Sequence, residues 1–386
     1  MKKVVLIIVL TIITSFTLKI KAATPQKAPE DEIIKDWIGA MEQGKAVNVP
    51  PNFVYTRYSF TGEGKMMRSQ GGRAPFFSLY SKPSEINVEE VKSTPAGKVV
   101  KLVTTSEEGL YRVWETYLLI SEGKITRVTE VAIEGKFYGP KEECPETTIK
   151  RDHIATVTGV IQEGGLPNTI RLYSTRIDTG EPDIELEDKR KAERCGLKPG
   201  TYKIEEEVLI FDPSEQLIHA EVVADASGES QGREVGVRFA KEDEYNFPAR
   251  LFDIGEKSGL LLTFTKGEES KAITQSVLYK IDGNLRPIWS FTAGFTSADA
   301  GANWELKSTS EDGVPMIKAR LIHSSGKYNC SEGTVITFKK KGDKFEAVKG
   351  EFESSCLKMP KISSLKGYGK RINVPELSTA TQNREE

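Results

Sequence analysis

The 386-residue chain has few of the residues that build most redox and metal centres: three histidines, four cysteines and no CxxC pair. The histidines stand far apart, at positions 153, 219 and 323, so neither a thioredoxin-like redox site nor a Cys/His zinc site is expected, and no cofactor is implied. Basic residues are not in excess either, with 54 Lys and Arg against 56 Asp and Glu. Duplex-binding proteins take most of their affinity from phosphate contacts and show a basic stripe or domain, so nucleic acid is not an expected partner. The N-terminal apolar run, Val4 to Leu18, has fifteen residues, short of the roughly 18–20 that cross a bilayer. A fixed repeat is missing too: the similar hairpin segments starting at Leu118, Val208, Val277 and Val335 are unevenly spaced, which excludes a propeller or solenoid. At 38% hydrophobic and 28% charged residues, with 33 Gly and 18 Pro, the chain is neither disordered, collagen-like nor a coiled coil.

What is there begins with an export signal. Lys2 and Lys3 precede the apolar run, and Ile20 with Ala22 give a small-residue cleavage pattern, so residues 1–22 read as a signal peptide. Cleavage would leave 50 basic against 56 acidic residues, a net charge of −6. The residue directly after the cleavage point is Ala23 and not a cysteine, which argues against lipid attachment there, and no transmembrane segment is expected after cleavage. Four cysteines in an exported chain predict two disulfides. Proximity in sequence favours Cys144 with Cys195 and Cys330 with Cys356.

The length predicts two domains. Residues 23–30, with Pro25 and Pro29, read as a linker. A small α+β domain, one helix on a curved antiparallel sheet, is expected over 31–138. Acids at 30–32 favour a helix start, Ile33, Ile34, Trp37, Ile38 and Met41 follow at helical spacing, and Gly44 stops it. Strands are expected at Phe53–Phe60, Val99–Thr105, Tyr111–Ile120 and Ile125–Ile133, the last two joined by Ser121-Glu122-Gly123-Lys124. This element order resembles that of cystatin-like and NTF2-like cone domains, a likeness no residue motif carries. In such a domain the cone interior would be the ligand pocket. Residues 139–200 read as an irregular inter-domain region holding a short helix, Leu186–Cys195. Near-continuous short strands over 201–356 predict a larger all-β domain, a sandwich or an irregular β-fold, followed by a flexible tail at 357–386.

The sharpest motif is Gly228-Glu229-Ser230-Gln231-Gly232, a GxSxG that in α/β-hydrolases holds a nucleophilic serine on a strand-to-helix turn. His323 is the histidine downstream, and chain order would allow a triad. The required helix is absent, because Glu234 to Phe239 alternates as a strand, so a Gly/Ser hairpin loop is the plainer reading. Two SxxK matches, at Ser324 and Ser363, lack the partner motifs of acyl-transfer enzymes. Asp282-Gly283-Asn284 and Glu311-Asp312-Gly313 lack the alternate acidic ligands of a calcium loop, and turn chemistry accounts for them. No metal site is expected. The aromatics Phe53, Tyr55, Tyr58, Phe60, Phe76, Phe77 and Tyr80 read as core or as the wall of a cavity. His153, beside Asp152, reads as a hydrogen-bonded surface residue and His219 as half-buried and structural. The expectation is an exported, non-catalytic bacterial envelope protein, periplasmic or extracellular, that binds another envelope protein, a glycan or a small ligand. The alternative is a secreted hydrolase using Ser230 with His323 or an unrecognised carboxylate pair.

Overall fold

The computed structural model describes residues 29–43, 45, 49–60, 66–71, 83–107, 110–137, 146–161, 165–179, 200–229, 234–255, 257–267, 269–348, 352–362 and 370–371. The expected signal segment, Cys144, Cys195, the helix expected at Leu186–Cys195, Ser230 and most of the C-terminal tail lie outside these residues.

The amphipathic segment forms helix α1, Pro29–Glu42. A 12-stranded sheet follows. Its strands are β1 (Val54–Phe60), β2 (Met66–Gly71), β3 (Glu85–Thr94), β4 (Gly97–Thr105), β5 (Tyr111–Ser121), β6 (Lys124–Phe137), β7 (Thr147–Gly159), β8 (Asn168–Thr179), β9 (Thr201–Phe211), β10 (Leu217–Glu229) and β11 (Val235–Gly236). From β3 to β11 they pair as an antiparallel meander in chain order, while β1 runs parallel to β6 and antiparallel to β2. A second, 9-stranded antiparallel sheet holds β12 (Arg238–Phe239), β13 (Ala249–Asp253), β14 (Ser258–Lys266), β15 (Ile273–Ile281), β16 (Leu285–Thr296), β17 (Ala300–Glu311), β18 (Val314–Gly326), β19 (Val335–Lys341) and β20 (Lys344–Ala347). The last strand, β21 (Lys370–Arg371), returns to pair with β10. Tight hairpins carry much of this order. At β5–β6 and β17–β18 the turn residues Glu122-Gly123 and Asp312-Gly313 all have positive φ, the two-residue geometry that matches strand twist.

Each sheet turns one corner. β6 pairs with β7 only between Glu134–Phe137 and Thr147–Lys150, and β16 pairs with β17 only between Gly294–Thr296 and Gly301–Asn303. Beyond each corner the strands part and the two halves of the sheet stack. Five layers result, with an apolar cluster in each gap. α1 lays Ile34, Trp37 and Met41 on Val100, Leu102, Leu118 and Val128 of β4–β6. The opposite face of β1 and β4–β6, with Tyr58, Val99, Tyr117 and Val131, meets Tyr173, Leu209 and Phe211 of β8 and β9. The outer face of β8 and β9, with Ile170, Leu172, Val208 and Ile210, meets Leu260, Leu262, Phe264 and Val277 of the second sheet. Leu261, Leu278, Ile288 and Phe291 on the far side of that layer meet Trp304, Leu306, Ile317 and Phe338 of β17–β19. The central strands β8, β9, β14 and β15 thus feed two cores through alternate residues, which is why Val208-Leu209-Ile210-Phe211 and Leu260-Leu261-Leu262 read as unbroken apolar runs.

The β-rich, antiparallel character expected of the chain is seen, with a single helix among the described residues. The irregular connector expected over 139–200 is corrected: β7 and β8 occupy 147–159 and 168–179 and carry the first sheet across it. Their alternation is hidden because β8 is buried on both faces and β7 is interrupted by a bulge between His153 and Ala155. The flexible tail expected from 357 is corrected in its first part. A short 3-10 turn, Ser354–Leu357, places Cys356 in a disulfide with Cys330. Beyond it Thr292 donates to the Pro360 carbonyl, and Ile362, 3% exposed, donates its N–H to Gln275 Oε1 and fills the core between the sheets. Among the described residues no helix is long and apolar enough to cross a membrane.

Candidate functional site

The gap between the two halves of the first sheet differs chemically from the other three. Beside its apolar cluster it encloses charged side chains from five strands, β4, β5, β7, β8 and β9. Glu115 on β5, 7% exposed, accepts from the Tyr117 hydroxyl at 2.7 Å and the Tyr173 hydroxyl at 2.8 Å. Lys101 on β4 pairs with its other oxygen at 2.7 Å and with Glu89 at 2.8 Å. Burial alone would raise the Glu115 carboxyl, but Lys101 and the two hydroxyls hold it below its ordinary range. Burial likewise opposes the charge on Lys101, and Glu115 outweighs it, so the ammonium is held more firmly than usual. Both phenols are pushed up, chiefly by burial, with Glu115 adding to it, so they stay donors.

Arg171 on β8 lies alongside. Its guanidinium carbon is 4.2 Å from the Tyr117 ring centre and 4.5 Å from that of Phe211, and it pairs with Glu215 at 2.8 Å. Deeper in the same gap Arg151 on β7 pairs with Glu207 on β9 at 3.0 Å, with both side chains 1% exposed, and donates to the Ala132 carbonyl. Here burial raises the Glu207 carboxyl despite Arg151. Register explains how three successive acids, Glu205 to Glu207, fit in one strand. Glu207 points inward to Arg151, Glu206 points to the opposite face, where Arg238 and Ser174 meet it, and Glu205 pairs with Lys203.

Between these groups is a cavity of about 220 Å³, lined by Glu90, Lys92, Val99, Lys101, Tyr117, His153, Thr156, Thr169, Arg171, Tyr173 and Glu215. Tyr117, Tyr173 and Arg171 form its buried floor, and the exposed His153 stands at its mouth. His153 Nε2 meets Thr156 Oγ1 at 2.8 Å and its ring packs edge-on against Tyr173. Desolvation, the largest influence on it, keeps His153 below its ordinary pKa and therefore neutral at neutral pH. A wider cavity of about 840 Å³ opens where the two sheets meet, lined by Ile154, Glu206, Arg238, Phe239, the 240–243 segment and Thr274.

Of the described residues singled out in sequence, His153 alone lines this cavity. Ser230 lies outside the described residues. His323 is on β18 in the outermost layer, exposed and paired with Glu332 at 3.1 Å. His153 does serve the cavity mouth, but Asp152 pairs with Lys150 and not with it. His219 is buried and meets Glu221 at 2.9 Å, and Glu221 also accepts the Leu285 N–H, tying β10 to the second sheet. Of the aromatic group, Phe53 and Tyr58 are core residues, while Tyr55 donates to Glu130, which Arg57 also holds, at 2.7 Å. Lys101, Glu115, Tyr117, Arg171 and Tyr173 carry no motif, since they come from strands up to 72 positions apart; the one sequence signal was charge placed inside otherwise apolar strands. Among the described residues no group of three His, Cys, Asp or Glu could hold a metal ion. No family model matches the chain, and no match was found among curated proteins or solved structures.

Proposed function

We propose that this chain is an exported, non-catalytic binding module of the bacterial envelope, and that its ligand is a small polar molecule held in the 220 Å³ cavity between the two halves of the first sheet. The observation that carries the reading is the charged layer itself. Buried ion pairs cost desolvation energy, and well-packed apolar residues in their place are often neutral or more stable, so stability alone gives little reason to keep Lys101–Glu115, Arg171–Glu215 and Arg151–Glu207 inside a β-stack. A concave site with convergent polar groups on rigid strands gives one. The chemistry favours holding over turnover. Glu115 is committed to three donors and held ionised, which makes it a weak base, and the phenols are held protonated. The hydrolase alternative finds its histidine on an exposed strand of the outermost layer.

Native mass spectrometry of the protein purified from its own host tests this. The expected result is a chain starting at Ala23 that carries a small non-covalent adduct, released by collisional activation and retained less well by Tyr173→Phe. A bare chain in every preparation would overturn the reading.

A further inference from the structure

Resting on that reading, we infer the ligand's class: the cavity takes a small organic monocarboxylate, its acidic group on the open N–H donors of Arg171 and its body against Val99, Tyr117 and Tyr173. A guanidinium carries five N–H donors in one plane. Arg171 is 8% exposed, and Glu215 is its one polar partner among the described residues; its other close neighbours are the rings of Tyr117 and Phe211, which attract the charge without replacing a carboxylate or phosphate in the guanidinium plane. Glu215 is itself shared, accepting at 3.4 Å from Thr169. Donors are in surplus elsewhere around the cavity. Lys101 has three N–H groups and two carboxylate partners, and Lys92 has no ion-pair partner among the described residues. Lys101 is matched by Glu115 just behind the lining, which leaves Lys92 and Arg171 on the wall beside Glu90 and Glu215. The open donors of Arg171 and the ammonium of Lys92 suit one carboxylate, whereas a phosphate dianion would set a second negative charge against Glu90 and Glu215. The aromatic and valine walls match an organic body.

The test is calorimetric titration of the full mature chain with four probes: sodium butyrate, the isosteric neutral butyramide, inorganic phosphate and D-glucose. Butyrate is expected to bind saturably and butyramide about tenfold or more weakly, because a charge-assisted contact is lost. Arg171→Lys keeps the charge and removes the planar fork, and should weaken butyrate by about tenfold. Since a buried substitution can also unfold the chain, Lys92→Gln at the half-buried rim is the second variant. It should weaken butyrate several-fold and leave butyramide unchanged. Equal binding of butyrate and butyramide, or binding of phosphate alone, would overturn the monocarboxylate assignment. Binding of glucose or butyramide without butyrate would sink the inference and leave the cavity a ligand site. Silence from all four probes, together with a bare chain in native mass spectrometry, would remove both.

Discussion

Two gaps in this molecule are built by the same device, a sheet that turns a corner and stacks on itself, and they are filled in opposite ways. Between the halves of the second sheet the contents are almost wholly apolar and aromatic. Trp289, Phe291, Trp304 and Phe338 pack with ring centres 5.2–5.8 Å apart, three of their four contacts edge-on. Between the halves of the first sheet, tyrosines and arginines alternate with carboxylates, and a cavity remains. Close packing of apolar groups gives stability with little need of precise charge placement. A charged interior gives less of it and demands that each donor find its acceptor. On the reading proposed above, one gap supplies stability and the other recognition.

Truncation gives the largest effects and the first way to break this comparison. Trp304→Ala should cost about 3–5 kcal/mol in urea unfolding, through lost burial and a cavity. Glu207→Ala should cost a similar amount, about 3–5 kcal/mol, because it strands the buried Arg151 charge. The two differ in how they can be repaired. The paired change Arg151→Met with Glu207→Leu should recover the loss and stabilise the chain by up to about 1–4 kcal/mol. A double variant no more stable than Glu207→Ala alone would mean that the charged gap is structural after all.

Next in size is the Cys330–Cys356 disulfide, which closes 26 residues beside the apolar gap. Replacing both cysteines by serine should cost roughly 2–4 kcal/mol on the loop-entropy account, read as a lower urea midpoint. It should leave ligand retention in the charged gap unchanged.

The smallest effect is in the acid limb of stability. Glu115 is held below the ordinary carboxylate range, so it favours the folded state above that range, and its contribution is lost as pH falls through the lowered value. Glu206 and Glu207 are raised, chiefly by burial, and act with the opposite sign: their folded forms take up a proton more readily, so acidification relieves them. Glu115→Gln should therefore show a shallower loss of stability than the parent between about pH 6 and pH 3. The loss caused by Trp304→Ala should be the same across that range.

The strands whose residues alternate cleanly or run unbroken apolar were legible in the sequence. Tyr111–Ser121, Thr201–Phe211 and Ser258–Lys266 fall where period-two patterning and turn residues put them. α1 follows from helical spacing alone, and the Cys330–Cys356 pair from parity and proximity. β3 and β17 escaped notice because their outward faces are charged and exposed. β7 and β8 were hidden because Lys150, Arg151, Asp152, Arg171 and Arg176 look like loop composition until the partners across the gap are known. The site went unread for the same reason. Arg151 and Glu207 are 56 positions apart, and Tyr173 and Glu115 are 58 apart. Nothing local marks them as neighbours, since the corner between β6 and β7 brings them together.

The segment 352–362 bears on the order in which this fold can be completed. It follows β1 to β20 in the chain, yet it supplies Ile362 to the core between the sheets and Cys356 to the bridge. A chain delivered from its N-terminus can form its hairpins one after another as each turn emerges, because neighbouring strands pair locally. The core between the sheets gains its last buried residue, Ile362, only when this late segment arrives. Until then Gln275 and the apolar residues around Ile362 lack their cover, so the partly delivered chain is most exposed to premature association along the seam between the sheets.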